Sequence, residues 1–222
     1  MLRYTIFFIL ILLSFCIIFS SSIPSKALVL IITVSQFDDH SINPLPSTEK
    51  DGKMIRDLFS SLGYDVKWIE NPIFTRMKTA INEFIDRKGY DMKIFYYSGH
   101  GYRDDEGGYY LIPKDTDSRY IEDTAYKFNE AIEKMERDEG TRYVIIVDAC
   151  YSGIMRGEKP LNEVVIGVED IEEEVEKIGV MYLSSEEYEK SKEGIFTEVM
   201  VEGMEGEGDK DGDGYVESYG LY

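Results

Sequence analysis

The chain has 222 residues, of which 43% are hydrophobic and 13% aromatic, a composition typical of one folded domain with a sizeable core. Its formal net charge of −19 at pH 7 argues against a nucleic-acid partner, because phosphate binding needs a basic surface. The same charge suits a cationic substrate or divalent ions, although an acidic surface also serves solubility alone.

Residues 1–26 are predicted to lie outside the folded domain. Arg3 precedes an uncharged apolar run from Ile6 to Phe19, and three serines follow it. This order is typical of a secretory signal peptide cleaved after Ser22, and it also suits an uncleaved membrane anchor through residues 4–20. Either interpretation predicts an exported domain, secreted or membrane-anchored.

From residue 27 onward, apolar runs alternate with amphipathic stretches. Strands are predicted at Ala27–Val34, Asp65–Ile69, Lys93–Tyr97, Arg142–Val147 and Val180–Ser184, and a short hairpin arm at Gly108–Pro113. Apolar residues at helical spacing predict helices from Ser47 or Thr48 to Gly63, over Thr75–Lys88, and around residues 125–135 and 196–200. Residues 155–177 are charged and poorly periodic, which predicts a mobile segment.

This alternation predicts an α/β fold. Because the strand runs are apolar on both faces, we expect a mostly parallel sheet covered by helices on both sides, a three-layer αβα sandwich. No repeat or linker divides residues 27–222, which we interpret as one domain.

Histidine and cysteine are scarce, so their positions carry weight. Cys16 falls in the N-terminal segment, which leaves Cys150 as the single cysteine of the domain and predicts no disulfide framework. His40 lies in FDDHSINP, which we interpret as an exposed loop. The remaining histidine, His100, lies between two glycines.

Two predicted strands run into polar, glycine-containing sequences, SGHG at 98–101 and DACYSG at 148–153. We expect turns there, and the carboxyl ends of parallel neighbours would bring His100 and Cys150 to one edge of the sheet. A thiol near an imidazole becomes a strong nucleophile, and the imidazolium can protonate a leaving amine. The alternative is a buried cysteine and an incidental turn histidine.

These motifs resemble the caspase and metacaspase family of cysteine peptidases in its compact prokaryotic form. The resemblance rests, in chain order, on ALVLIITVSQF, YYSGHG, GGYYLIPKDTD, YVIIVDACYSG and GIFTEVMVEGMEGEGDKDGDG, which together span residues 27–214. The separation of His100 and Cys150 (150 − 100 = 50) agrees with caspase-type spacing. The resemblance implies a caspase-like sandwich.

The resemblance also implies roles for individual residues. Cys150 would be the nucleophile and His100 the general acid/base, with an oxyanion hole formed by the amides of Gly101 and Cys150. Asp148 matches the acidic residue that lines the primary specificity pocket of metacaspases, where true caspases carry Gln and select Asp. A carboxylate on a pocket floor favours Lys or Arg, because a buried charge needs an opposite partner. The alternative for Asp148 is a carboxylate that caps backbone amides. Asp115, in LIPKD, matches a family position that we interpret as shaping the site.

The Asp-rich stretch at 209–220 resembles a calcium loop. Its candidate ligands are Asp209, Asp211, Asp213 and Glu217. Gly220 occupies the position where a calcium loop carries a bidentate Glu, so a solvated acidic turn stays open as the alternative. The expected chemistry requires no cofactor.

The sequence therefore predicts a cysteine endopeptidase that cleaves protein or peptide substrates after Lys or Arg. One alternative is a non-catalytic caspase-homology module that binds a partner or calcium. Another is a separase-like peptidase with the same dyad and a different substrate. If the pocket selects basic residues, segment 155–177 offers sites for self-cleavage after Arg156 or Lys159. The sequence makes no prediction of oligomeric state.

Overall fold

The computed structural model of the chain describes residues 26–150, 178–183 and 195–207. In chain order its elements are β1 (Ala27–Thr33), α1 (Ser47–Ser61), β2 (Asp65–Glu70), α2 (Phe74–Asp86), β3 (Met92–Arg103), β4 (Tyr109–Leu111), α3 (Ile121–Thr124), β5 (Tyr126–Lys127), α4 (Asn129–Glu136), β6 (Arg142–Cys150), β7 (Ile178–Leu183) and α5 (Ile195–Glu202), followed by a π-helical turn (Gly203–Glu207). All five strands predicted for the parallel part of the sheet are present, although their first and last residues differ somewhat from the predicted ones.

Seven strands of the described chain form one sheet. Its parallel part has the order β2-β1-β3-β6-β7, and β3 is therefore flanked by β1 and β6. The predicted hairpin arm is β4, which pairs antiparallel with the last residues of β3 and with β5. The mostly parallel sheet expected from the sequence is confirmed.

Helices cover both faces of this sheet. Because successive strand residues point to opposite faces, β1 contributes Leu30 and Ile32 to one core and Val29 and Ile31 to the other. The first core is closed by α2 and α4, which bury residues such as Met77 and Met135. The second core is closed by α1 and α5, through residues that include Ile55, Phe59, Met200 and Val201. The three-layer αβα sandwich is confirmed.

The ends of α1 and α2 show how local sequence sets the helices. Gly63 has φ +76°, a left-handed conformation that glycine adopts at low cost, and it directly follows the last turn of α1. At the start of α2, the Asp115 carboxylate accepts a hydrogen bond of 2.6 Å from the Phe74 amide. This contact satisfies one of the amides that a helix start leaves unpaired.

The helix predicted around residues 125–135 was too long. Helix α4 begins at Asn129, and Tyr126 instead pairs with Leu111 in the β4–β5 ladder. The Phe128 ring stacks on Phe95, with 5.0 Å between ring centroids. Apolar spacing alone favoured a continuous helix here, because the pairing offered by β4 comes from a distant part of the chain.

Several predictions fall on residues outside the described ranges. These are the signal peptide or anchor at 1–26 (except residue 26), the segment at 155–177, and the four candidate calcium ligands at 209–217. None of the helices in the described ranges is long and apolar enough to cross a membrane.

Candidate active site

The register between β3 and β6 places the two candidate catalytic residues side by side. His100 is the register partner of Cys150, and Ser98 is the partner of Asp148. Adjacent strands lie about 4.8 Å apart, so the backbones of His100 and Cys150 are direct neighbours. Of Cys150 the structure describes the backbone. The expectation that parallel strands bring these positions together is confirmed.

The turn expected at SGHG is not there, whereas residues 151–153 of DACYSG lie outside the described residues. Strand β3 continues through His100 to Arg103, and β6 continues through Cys150. Gly99 allows a close contact with the Tyr97 side chain and does not form a turn, because a Cβ atom on it would lie 2.5 Å from the Tyr97 hydroxyl. That hydroxyl donates a 2.7 Å hydrogen bond to the His100 carbonyl oxygen. Glycine at this position therefore lets a tyrosine side chain brace the backbone of His100.

The His100 side chain is 2% exposed and is held by one loop, residues 35–46. Its Nε2 lies 2.7 Å from the Asn43 carbonyl oxygen, and the Phe37 ring packs against the imidazole at 5.2 Å between centroids. A carbonyl oxygen only accepts hydrogen bonds, so Nε2 carries the hydrogen and Nδ1 of the neutral ring is the basic nitrogen. Nδ1 is buried and has no hydrogen-bond partner among the described residues.

Burial lowers the pKa of His100 below its ordinary value, and the Asn43 carbonyl partly opposes that change. A neutral imidazole is therefore the favoured form near neutral pH. This form, with Nδ1 unprotonated, can accept a proton from a neighbouring thiol.

The loop that holds His100 is braced from two directions. Asn71, with φ +46°, accepts hydrogen bonds at Oδ1 from the amides of Ser35 (2.8 Å) and Gln36 (3.0 Å). Asp39 accepts a 2.9 Å hydrogen bond from the Ser118 amide, which ties the far part of the loop to the chain after β4. His40 is exposed, as expected.

Asp148 and Asp51 bring two carboxyl groups to the same face of the sheet. Asp51 lies on α1, is 2% exposed, and has one oxygen 3.4 Å from the Ser98 hydroxyl and the other without a partner among the described residues. Burial, followed by the charge of Asp148, raises the pKa of Asp51 to about 6. Burial also raises the pKa of Asp148 to about 6, while a hydrogen bond from Thr197 lowers it. The nearby cation Lys50 pairs with Glu198 at 3.3 Å.

The family described as Caspase domain matches residues 26–213. The chain belongs to the caspase-domain family of cysteine peptidases. A comparison with curated proteins gives no match. In this caspase domain, His100 and Cys150 both lie within the matched range, as do Asp51 and Asp148.

Sequence reasoning missed three residues of the candidate site, namely Asp51, Ser98 and Thr197. One signal for Asp51 was available: it precedes Ile55 by four residues and Leu58 by seven, so an acidic residue lies on the buried face of α1. Ser98 and Thr197 carry no comparable signal, because buried hydroxyl residues are common in cores.

Asp115 has a different environment from the one we expected. It is exposed, and its described contact is with the first amide of α2. The described contacts of His100 and Asp148 do not include it. Its position supports a role in starting α2.

The described part of this caspase domain contains no group of three or more His, Cys, Asp or Glu residues placed to hold a metal. The candidate calcium ligands Asp209, Asp211, Asp213 and Glu217 lie beyond the last described residue. The calcium site stays a prediction.

Proposed function

We propose that this caspase domain is a cysteine endopeptidase that hydrolyses peptide bonds after Lys or Arg, with Cys150 as nucleophile and His100 as general acid/base. The observation that carries the proposal is the β3–β6 register, which pairs these two positions on adjacent parallel strands. Nδ1 of His100, which is buried and without a hydrogen-bond partner among the residues that the structure describes, supports it further.

The proposed reaction has two halves. The Cys150 thiol gives its proton to His100 Nδ1, and the sulfur attacks the carbonyl carbon of the scissile bond. The negative charge on the carbonyl oxygen would be met by the amides of Gly101 and Cys150. The imidazolium then protonates the leaving nitrogen, the C–N bond breaks, and a thioester remains. Water, deprotonated by His100, hydrolyses the thioester and restores the thiol.

Asp51 and Asp148 support the proposed preference for basic residues. Both carboxyl groups are at least partly withdrawn from water, and neither has a described ion-pair partner. A Lys or Arg side chain would supply the missing positive charge, and Arg can bind a carboxylate through two parallel hydrogen bonds. A neutral or acidic substrate residue would leave the two carboxylates unpaired, which is unfavourable in a buried site.

A peptide library tests this proposal. We expect the wild-type protein to cleave after Arg and Lys, and Cys150→Ala and His100→Ala to lose this activity by several orders of magnitude. A peptide probe with Arg and a thiol-reactive group should label Cys150. Near-UV circular dichroism of both variants checks that they remain folded. Cleavage of the same bonds by Cys150→Ala would show that the dyad assignment is wrong.

Export and calcium binding remain proposals that rest on sequence patterns alone. We propose that residues 1–26 direct or anchor the domain outside the cytoplasm, which mass spectrometry of the mature protein in cell fractions would test. Calcium titration of wild type beside Asp211→Ala tests the loop at 209–220. Equal binding by the two proteins would exclude that loop.

A further inference from the structure

Thr197 connects two groups that are distant in sequence. Its hydroxyl oxygen lies 2.7 Å from the Tyr96 hydroxyl and 3.1 Å from Asp148 Oδ2. Both Thr197 and Tyr96 are 0% exposed. Because the two hydroxyls are shielded from water, they hydrogen-bond to each other and to polar neighbours, which are Asp148 for Thr197 and Ser98 for Tyr96.

The direction of this chain follows from the donors available. An ionised carboxylate only accepts hydrogen bonds, so the Thr197 hydroxyl donates to Asp148. Thr197 has a single hydroxyl hydrogen, so the Tyr96 hydroxyl must donate to Thr197. With Asp148 ionised, the chain therefore runs from Tyr96 through Thr197 to Asp148.

We propose that Thr197 and Tyr96 are positioning residues for substrate specificity, which keep Asp148 ionised and oriented toward the basic side chain of the substrate. This inference rests on the proposed function. The Thr197 hydroxyl fixes Oδ2 of Asp148, and in this proposal Oδ1 binds the substrate cation.

The surroundings of Asp148 make such a donor necessary. Beside Asp148, the charged groups that affect the pKa of Asp51 or Tyr96 are Lys50 of α1, Glu198 of α5 and, for Tyr96, Asp51 itself, and His100 lies on the neighbouring strand β3. Lys50 and Glu198 pair with each other, His100 is favoured in its neutral form, and Asp51 adds negative charge. No cation of the described residues is among the causes of the pKa shift of Asp148. The Thr197 hydrogen bond lowers the pKa of Asp148, whereas burial raises it.

The helix that carries Thr197 is anchored by the core. Met200 and Val201 of α5 are 1% and 6% exposed and pack with residues of α1 and the sheet. Residue 197 follows the nucleophile in sequence by 47 positions (197 − 150), so α5 completes a site that begins on β6. Asp148 is thus oriented by an element from the far end of the domain.

Three variants test the inference: Thr197→Val, which keeps the shape and removes the hydroxyl, Thr197→Ser, which keeps the hydroxyl, and Tyr96→Phe, which removes the upstream donor. The assay is kcat/KM for two peptides that differ only in Arg or Gln at the cleaved position, measured from about pH 5 to about pH 9. The rate of Cys150 alkylation by iodoacetamide, which needs no specificity pocket, reports on the dyad and the fold.

We expect Thr197→Val to lose roughly 10- to 100-fold in kcat/KM for the Arg peptide, mainly through KM, because hydrogen bonds to charged groups are the stronger class. The acid limb of its kcat/KM profile for the Arg peptide should move to higher pH, because the ionised form of Asp148 loses a hydrogen-bond donor and the pKa of Asp148 rises. Tyr96→Phe should lose about 2- to 10-fold in the same direction. Thr197→Ser should stay close to wild type, and alkylation should be unchanged in all three.

Two results would overturn the inference while the proposed function stands. One is a Thr197→Val protein with wild-type selectivity and an unmoved acid limb. The other is a Thr197→Ser protein as impaired as Thr197→Val, which would mean that packing and not the hydroxyl matters. A wild-type protein that shows no preference for Arg over Gln would overturn the proposed specificity and the inference together.

Discussion

Asp51 on α1 and Asp148 near the end of β6 are close enough that, after burial, the charge of Asp148 is the largest cause of the raised pKa of Asp51. A buried pair of like charges is unfavourable unless an opposite charge joins it. The Asp51–Asp148 pair is therefore better suited to binding a cation than to stabilising the protein without a ligand.

The activity on basic substrates should depend on pH through this pair. The pKa values of Asp51 and Asp148 are raised to about 6, so both carboxyl groups become charged as the pH rises through that value. We expect kcat/KM for an Arg peptide to rise between about pH 5 and about pH 7. A matched Gln peptide serves as the control. If both peptides show the same acid limb, the pair does not control substrate binding.

Removing the charge of Asp51 should stabilise the protein at neutral pH. The pKa of this carboxyl group is about 6 in the folded protein, against an ordinary value of 3.8. The protonated Asp51 therefore contributes stability that is fully present below pH 3.8 and is lost as the pH rises through about 6. We expect Asp51→Asn to raise the unfolding free energy by about 1–3 kcal/mol near pH 8, with little change near pH 4.

Thermal unfolding at the two pH values measures this effect. Asp57→Asn, an exposed acidic position on the same helix, is the matched control and should leave stability nearly unchanged. Destabilisation of Asp51→Asn at both pH values would argue that the carboxylate has a favourable partner in the folded protein.

Asp148→Asn should change selectivity more than catalysis. Loss of a partly desolvated partner for the substrate cation costs about 2–5 kcal/mol, so we expect kcat/KM for Arg and Lys peptides to fall at least about 30-fold. The kcat/KM for peptides with a neutral residue at the cleaved position should change much less. Glu198→Gln, at a nearby half-buried acidic residue that pairs with Lys50, tests whether general charge explains the result. Equal losses of kcat/KM in the two variants would mean that the overall negative charge of the site, and not Asp148 itself, causes the effect.

Phe37→Ala should impair catalysis without changing selectivity. The Phe37 ring packs on His100, and its loss would loosen the imidazole and admit water. We expect kcat to fall about 10- to 100-fold, with the same Arg preference, because small displacements of a catalytic group are costly. Tyr120→Ala, at a residue 59% exposed, is the control. A selectivity change in Phe37→Ala would place the ring in the substrate pocket.

Self-cleavage after Arg156 or Lys159 is expected if the pocket selects basic residues. Intact-mass spectrometry of the active protein beside Cys150→Ala measures it, and the double variant Arg156→Gln, Lys159→Gln should block it. We expect cleavage between molecules, because the link from Cys150 to either residue is short. A single uncut chain in an active preparation that turns over peptide substrate would contradict this prediction.

The sequence determined the order of strands and helices along the chain, and it predicted that His100 and Cys150 meet if their strands are parallel neighbours. Strand runs that are apolar on both faces require a covered parallel sheet, and such a sheet aligns the carboxyl ends of neighbouring strands. The adjacency of β3 and β6, which makes His100 and Cys150 register partners, is seen in the structure. The ends of the strands were predicted less well, because a glycine within a strand can allow a close side-chain contact as well as mark a turn.

Only the tertiary structure decided how the site is completed. The Asn43 carbonyl reaches Nε2 of His100 because its loop folds back over β3, and a backbone carbonyl has no residue-type signature. Asp51 and Thr197 approach Asp148 because α1 and α5 pack on the same face of the sheet. Residues so far apart in sequence are brought together by the burial of apolar surface, which local patterns do not encode.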